Sequence, residues 1–184
     1  MVWRGVVFVV VTVALAVISR SSLRHPRSHG FFRFLAWEAI AALFLLNVGY
    51  WFVDPFSWNQ IIAWCLLVTC LAPLVWGTLL LRGRGTPAVQ RASDDTLLTF
   101  EKTTRLVTSG IYAYIRHPLY SSLLLLTWGI LFKHPSLPGV ALSLASTLFL
   151  VLTAFADEAE CMAFFGPQYK AYLRRTRRFI PFLF

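Results

Sequence analysis

The chain has 184 residues, of which 58% are hydrophobic and 14% are charged, and its formal net charge is +9. A water-soluble domain of this length has too little interior to bury so much apolar surface. The composition therefore excludes an ordinary soluble domain and predicts one integral membrane domain over residues 1–184. In so apolar a chain, the basic excess indicates membrane orientation rather than nucleic-acid binding.

Five apolar runs predict an all-α, polytopic bundle of about five transmembrane helices. They cover about residues 3–19, 34–53, 61–81, 118–132 and 137–156. The first run resembles a signal peptide, but no small-residue cleavage site follows, so we interpret it as a retained span. Pro73 predicts a kink in the third run. The fourth run is short for a span unless it is tilted or partly enclosed by protein.

The basic residues predict the orientation of these spans. Of the 17 lysines and arginines, all but Arg4 and Lys133 follow the first, third or fifth span. With five spans, those three regions share one side of the membrane, which the positive-inside rule makes the cytoplasm. The N-terminus is therefore expected outside and the C-terminus inside, and the short loops favour a bacterial inner membrane.

The strongest motif lies before the fourth span, where residues 106–120 read LVTSGIYAYIRHPLY. Pro118 suits the first turn of a helix, so Arg116 and His117 would stand beside a helix N-terminus that favours an anion such as a carboxylate. Gly110 permits a turn or a close approach of the backbone to a ligand. The alternative is that the arginine and histidine only anchor the span end at the interface.

A second signal is the acidic cluster Asp157, Glu158 and Glu160 at the inner end of the fifth span. These carboxylates either pair with Arg116, Arg105 or the basic tail, or they bind a cation or ribose hydroxyls. A positive ligand would find both carboxylates and aromatic faces here. An anion site and a cation site together suit a zwitterionic or sulfonium cofactor.

The remaining polar residues are weaker signals of a functional site. Glu38 in the second span would line the same pocket or, as we prefer, neutralise Arg33. The pattern of His25 and His29 is interrupted by Pro26, and we expect no metal site. The tail from residue 164 mixes aromatic and basic residues, which favours an interfacial amphipathic helix.

These motifs carry a family resemblance. LVTSGxYAxxRHPxY, then the acidic cluster, then FFGxxYxxY and IPF, resembles the isoprenylcysteine carboxyl methyltransferase family. That family belongs to a broader group of membrane methyltransferases that includes phospholipid N-methyltransferases. The resemblance covers residues 106–182, and the GRGTP stretch at residues 83–87 is similar to a GxGTP found in many bacterial relatives.

The resemblance implies an S-adenosylmethionine-dependent methyltransferase acting on an apolar or lipid-like acceptor, including an isoprenylcysteine carboxylate. The cofactor would bind in a cytoplasmic region made of residues 104–120 and 157–182. The matching cofactor-binding residues are Gly110, Tyr112, Arg116, His117, Pro118, Tyr120, Asp157 and Glu158. No general base is assigned, because methyl transfer depends on positioning more than on proton transfer.

One departure from the family concerns the acceptor. Eukaryotic members place an arginine about one turn before the acidic cluster, where it is thought to hold the prenylcysteine carboxylate, and this chain has Thr153 there. Two other interpretations stay open. One is a membrane NADPH-dependent reductase of the steroid-reductase type, and the other is a non-catalytic scaffold or transporter component.

Overall fold

A computed structural model describes residues 2–84 and 105–181. Over these ranges the protein is helical, and the β-structure is limited to one isolated parallel bridge between Ile115 and Arg177. The helices are α1 Val2–Ile18, α2 Arg20–Leu23, α3 His29–Asn47, α4 Trp58–Thr69, α5 Leu71–Arg84, α6 Pro118–Lys133, α7 Leu137–Phe165 and α8 Pro167–Leu173. Short 3₁₀ turns cover Val48–Tyr50 and Gly110–Ala113. The predicted all-α membrane bundle is confirmed.

Within residues 2–84 and 105–181, three helical stretches are long and apolar enough to cross a bilayer, namely His29–Tyr50, Trp58–Gly83 and Leu137–Phe165. The helices Val2–Ile18 and Pro118–Lys133 are apolar but shorter. Each of the five apolar runs is therefore helical, while five crossings and their orientation stay predictions. Residues 85–87 of the GRGTP stretch, Arg91, Lys102, residue 104 and Phe182 lie outside the described residues.

The third apolar run is broken where proline requires it. Helix α4 ends at Thr69, and α5 begins at Leu71, two residues before Pro73. Proline has no N–H to donate, and its ring crowds the carbonyl four residues earlier, which here belongs to Thr69. The predicted kink is confirmed.

Helix α7 is the axis of the bundle. It packs along α3 and against α6, and α6 in turn contacts α4 and α5. Ala36, Leu150 and Ala154 share a buried cluster with Tyr120 and Phe179, which links the core directly to the loop motif and the tail. Because α6 has neighbours on several sides, protein rather than lipid covers much of its surface, and this explains a helix of only 16 residues.

A buried lysine fastens the end of the bundle remote from the loop motif. Lys133 is 1% exposed, and its Nζ donates to Gln60 Oε1 at 2.9 Å and lies 3.5 Å from the centroid of the Trp64 ring. Asn47 Nδ2 donates to the carbonyl oxygen of Ile130 at 2.8 Å. These polar contacts hold α3 and α4 to the last turn of α6.

Two expectations are corrected. Glu38 accepts a hydrogen bond from Thr12 Oγ1 at 2.8 Å and so joins α3 to α1, whereas Arg33 lies over the Trp37 ring. The predicted pairing of Glu38 with Arg33 is wrong because five residues along a helix turn the two side chains to different faces.

The tail after α7 is also different from expectation. It is helical only over the seven residues of α8, and its aromatic residues Tyr169, Tyr172 and Phe179 are buried in the protein. The tail is therefore part of the folded core and does not lie on the membrane as one amphipathic helix.

Candidate functional site

A cleft of about 720 Å³ opens where the loop before α6, the end of α5, the last turns of α7 and helix α8 meet. It is lined by Leu81, Leu106, Val107, Tyr112, Arg116, His117, Pro118, Leu119, Tyr120, Asp157, Cys161, Phe165, Tyr169 and Tyr172. The cleft combines an apolar wall, which includes Leu81, Leu106 and Leu119, with a polar wall that includes Arg116, His117 and Asp157.

The loop motif is docked on α5 through a glycine. Gly110 has φ +63, and a Cβ at this position would lie 2.5 Å from Leu80 Cδ1 and 3.3 Å from Trp76 Nε1. Both the left-handed backbone and the close contact require the absence of a side chain. The glycine thereby brings buried Tyr112, two residues later, to the wall of the cleft.

Arg116 is held on two sides. Its Nε donates to Glu158 Oε1 at 2.8 Å, and its Nη1 donates to the carbonyl oxygens of Leu173, at 3.3 Å, and of Thr176. The side chain is 8% exposed. The alternative in which this arginine is a surface anchor is wrong, because its charge is engaged with a carboxylate and with the tail.

His117 precedes α6, and its ring lies between two carboxylates. Nδ1 is 3.4 Å from Asp157 Oδ2, and Nε2 is 3.3 Å from Glu158 Oε1. The ring stacks on Tyr120 with 5.3 Å between centroids. Burial works against protonation, but the hydrogen bonds to the two carboxylates outweigh it, so the pKa of His117 is raised above its ordinary value.

The three carboxylates of the acidic cluster differ in their further contacts, although Asp157 and Glu158 share His117. Asp157 faces the cleft, where Oδ2 accepts from the Tyr120 hydroxyl at 3.4 Å. Glu158 points away from the cleft and accepts from arginine side chains. Glu160 binds His29, with 3.0 Å from the backbone N and 2.5 Å from Nδ1. The acidic cluster therefore gives the cleft one facing carboxylate, while the other two hold α7 to its neighbours.

The tail forms the back wall of the loop motif. Arg116 N donates to Arg177 O at 2.8 Å, and Arg177 N donates to Tyr114 O at 3.0 Å. His117 N donates to Arg178 O at 3.1 Å, which continues the short parallel pairing. The backbone that carries the arginine and histidine is therefore fixed by residues about 60 positions later in the chain.

Sequence reasoning missed an aromatic face. Cys161, Phe165, Tyr169 and Tyr172 line the cleft, and the rings of Phe165 and Tyr169 stack at 6.5 Å. Burial raises the pKa of both tyrosine hydroxyls, so both stay protonated. The available signal was the spacing of four residues between Cys161 and Phe165 on α7 and of three between Tyr169 and Tyr172 on α8, because each spacing places two side chains on one face of a helix.

Six of the eight residues predicted from sequence line the cleft, and the other two shape it from outside. The lining residues are Tyr112, Arg116, His117, Pro118, Tyr120 and Asp157. Gly110 sets the path of the loop, and Glu158 holds the arginine and the histidine from behind. The structure thus brings the predicted residues together, while their binding of a cofactor stays a prediction.

Comparison with known proteins finds a similarity over part of the chain. Residues 91–165 match the sequence model of the phospholipid methyltransferase family. The protein-S-isoprenylcysteine O-methyltransferase of Tribolium castaneum is 36% identical over 81 residues. This part of the chain is similar to membrane methyltransferases. That alignment covers 42% of this chain and 28% of the Tribolium protein, and no solved structure matches the chain.

The match to the methyltransferase family includes every site residue predicted from sequence and ends at Phe165. It therefore takes in the loop motif and the acidic cluster, which form two sides of the cleft. Helix α8 and the tail, which form the third side, lie beyond the matched residues.

Proposed function

We propose that the protein transfers a methyl group from S-adenosylmethionine, bound in this cleft, to an apolar or lipid-like acceptor. The observation that carries the proposal is the position of the cleft. Its polar wall consists of residues that match membrane methyltransferases, and Asp157, Arg116 and His117 converge there within a helical membrane protein.

The residues of the cleft fit the charges of this cofactor, which carries a sulfonium, an ammonium and a carboxylate. Asp157 faces the cleft beside the rings of Tyr120 and Tyr169, and carboxylates and aromatic faces both attract cations. The carboxylate oxygens of Asp157 also suit ribose hydroxyls. The start of α6, with Pro118 in its first turn and His117 before it, suits the cofactor carboxylate.

When bound, the cofactor supplies an electrophilic methyl group. The contribution of the chain is to hold the two reactants in line and to keep water out, which is the larger part of the work in such a displacement. Tyr112, Tyr169 and Tyr172 are buried and frame the cleft with fixed rings. Positioning by rigid, hydrogen-bonded side chains is therefore the mechanism that we assign to this site.

The acceptor is proposed from the apolar wall. Leu81, Leu106 and Leu119 give the cleft a hydrocarbon surface at the side of α5 and α6. Thr153 is fully buried, and its hydroxyl donates to the carbonyl oxygen of Phe149 at 2.7 Å. It therefore does not replace the arginine of eukaryotic relatives, and an isoprenylcysteine carboxylate is one acceptor to test among amines and thiols on apolar chains.

The orientation completes the proposal. The cleft lies at the end of the bundle that carries the basic loop motif and tail, so we place it at the cytoplasmic face, with the N-terminus outside. The short loops favour a bacterial inner membrane. A soluble cofactor would then enter from the cytoplasm, and an acceptor dissolved in lipid would enter from the bilayer.

Thermal unfolding of the purified protein in detergent tests this proposal. S-adenosylmethionine and S-adenosylhomocysteine should each raise the unfolding temperature, because a ligand at about 100 times its Kd adds about 2.7 kcal/mol to stability. NADPH should not. A shift with NADPH alone would favour a reductase, and no shift with either sulfur nucleotide in folded protein would contradict the proposal in favour of a scaffold or transporter component.

A labelled methyl donor then identifies the acceptor. The protein is incubated with the donor and with a panel of apolar carboxylates, amines and thiols, and each product is analysed by mass. If only the carboxylates, only the amines or only the thiols carry label, that group is the methyl acceptor.

A further inference from the structure

Arg178 in the tail contacts His117 through its backbone, and its side chain binds Glu158, which also contacts His117. Its carbonyl oxygen accepts the hydrogen bond of His117 N at 3.1 Å. Its guanidinium donates to Glu158, with Nε at 3.1 Å from Oε1 and Nη2 at 3.0 Å from Oε2. The same Oε1 lies 3.3 Å from His117 Nε2. The three residues thus form a closed ring of contacts at the back of the cleft.

Phe155 fixes the plane of this guanidinium. The Cζ atom of Arg178 lies 4.3 Å from the centroid of the Phe155 ring, and Phe155 stands two residues before Asp157 on α7. The side chain of Arg178 is 24% exposed, and that of Glu158 is 10% exposed. The guanidinium therefore covers the solvent side of Glu158, while Arg116 and His117 occupy its other side.

We propose that Arg178 is a positioning residue of the cleft, which acts on a bound ligand only through Glu158 and His117. It is absent from the lining of the cleft, so direct contact is not its role. Two parallel N–H bonds from a planar guanidinium fix the orientation of a carboxylate better than a single ammonium does. With Glu158 fixed, the ring of His117 keeps its place between the two carboxylates.

This inference rests on the proposed function, since it concerns the same cleft, but it adds a residue outside the family match. The match ends at Phe165, thirteen residues before Arg178. The tail thereby contributes to the site through a charged side chain as well as through its backbone.

The positioning role has an electrostatic consequence that a purely structural role lacks. The charged and titratable groups around His117 are Asp157, Glu158, Tyr120, Arg116 and Arg178. Removal of the Arg178 charge leaves Glu158 with one cation fewer, so its carboxylate acts more strongly on the imidazole. The pKa of His117 should then rise further above its ordinary value.

Four proteins test the proposal: the wild type, Arg178→Gln, Arg178→Lys and the control Arg177→Gln. Arg177 is exposed, and its backbone contacts do not depend on its side chain. The Kd of S-adenosylhomocysteine is measured for each protein by calorimetry between about pH 6 and pH 9, a range that brackets the raised pKa of a histidine. Unfolding temperatures without ligand show which variants are folded.

We expect Arg178→Gln to weaken binding about tenfold or more, since small misplacements in a site have effects of this size. The midpoint of the pH dependence should move upward by about one unit. Arg178→Lys should bind the ligand more weakly than the wild type but keep the wild-type midpoint. Lysine retains the positive charge but lacks the two parallel N–H groups that arginine directs at Glu158. Arg177→Gln should match the wild type in both.

Unchanged Kd and midpoint in Arg178→Gln would overturn the proposal, as would an equal effect of Arg177→Gln. If Arg178→Gln does not fold, Arg178→Lys is the test of the proposal. Wild-type affinity in Arg178→Lys would then contradict positioning by the two N–H groups of the guanidinium. A wild-type protein that does not bind S-adenosylhomocysteine at all contradicts the proposed function instead, so the two failures are distinguished within one experiment.

Discussion

The hydroxyl of Tyr172 donates a hydrogen bond to the backbone carbonyl oxygen of Tyr112 at 2.7 Å. The donor lies on α8, and the acceptor lies in the 3₁₀ turn of the loop motif, 60 residues earlier. Both side chains are buried and line the cleft. This single bond therefore joins the loop motif, which comes before α6 and α7 in the chain, to α8, which follows them. It sets the width of the cleft between the loop motif and α8.

Tyr172→Phe removes this bond and leaves the ring in place. Because the Tyr112 carbonyl then loses the hydrogen bond from this hydroxyl, we expect a loss of about 1 kcal/mol in the free energy of unfolding and a several-fold weaker Kd for S-adenosylhomocysteine. Denaturant unfolding and calorimetry measure the two effects. Tyr50→Phe, at the other end of the bundle, is the control and should leave the Kd unchanged. Wild-type binding by Tyr172→Phe would show that the bond does not set the width of the cleft.

Glu158→Gln removes the charge that Arg116, His117 and Arg178 share. Loss of one partner of a buried ion pair costs about 3–5 kcal/mol, since the remaining charge is left uncompensated. Thermal stabilisation by S-adenosylhomocysteine should disappear, while the protein still enters the membrane. Glu160→Gln is the matched control on the same helix, and it should loosen the contact with His29 and retain ligand binding. Equal loss of binding in both variants would argue against a special role for Glu158.

Gly110→Ala should be the more harmful of two glycine substitutions. Gly110 and Gly166 both have positive φ values, so alanine strains the backbone at each, at a cost of about 1–3 kcal/mol. A Cβ at Gly110 also meets Leu80, whereas a Cβ at Gly166 has nothing within 4 Å. Chemical denaturation of both variants compares the costs. An equal loss of stability would mean that the loop moves freely away from α5.

The raised pKa of His117 gives a defined pH dependence of stability. Because the folded protein holds the proton more tightly than the unfolded chain, this contribution is complete below about pH 6.5. It is lost as the pH rises through the raised pKa of the folded state. Unfolding temperatures of the wild type and of His117→Gln should therefore differ more below this window than above it. A constant difference across the range would show that the imidazole is neutral between its carboxylates.

Lys133→Met tests the buried lysine at the end of the bundle away from the cleft. It removes the donor of Gln60 Oε1 and the cation over the Trp64 ring. An unsatisfied buried amide and a lost cation–π contact predict a destabilisation of about 1–3 kcal/mol. The Kd of S-adenosylhomocysteine should not change, because the cleft has no contact with this cluster. A weaker Kd in folded Lys133→Met would reveal coupling along α6.

Much of the bundle was predictable because apolar runs and proline act locally. The five helical runs and the break before Pro73 follow from residues within a few turns of each other. The loop motif was predictable for the same reason, since Gly110 and Pro118 impose their conformations on their own neighbourhood.

The pairing of charges was not predictable from local pattern. Glu158 and Glu160 are two residues apart in one helix, but one pairs with Arg116 and Arg178 and the other with His29. Adjacent positions on a helix face different neighbours, and these neighbours are set by packing over separations of up to 131 residues. The tail was misinterpreted for a related reason. Its mixture of aromatic and basic residues is equally compatible with packing on a lipid surface and with packing against the rest of the protein.

The length of α7 has a consequence for the membrane around the protein. Its 29 residues span about 44 Å at about 1.5 Å per residue, and a hydrocarbon core is about 30 Å thick. If α7 enters the hydrocarbon at Leu137, Asp157 stands 20 residues later and would lie close to the boundary between hydrocarbon and headgroups. Lipids with longer acyl chains would bring that boundary past the cleft. The solvent around Asp157 would then change before any contact within the protein did.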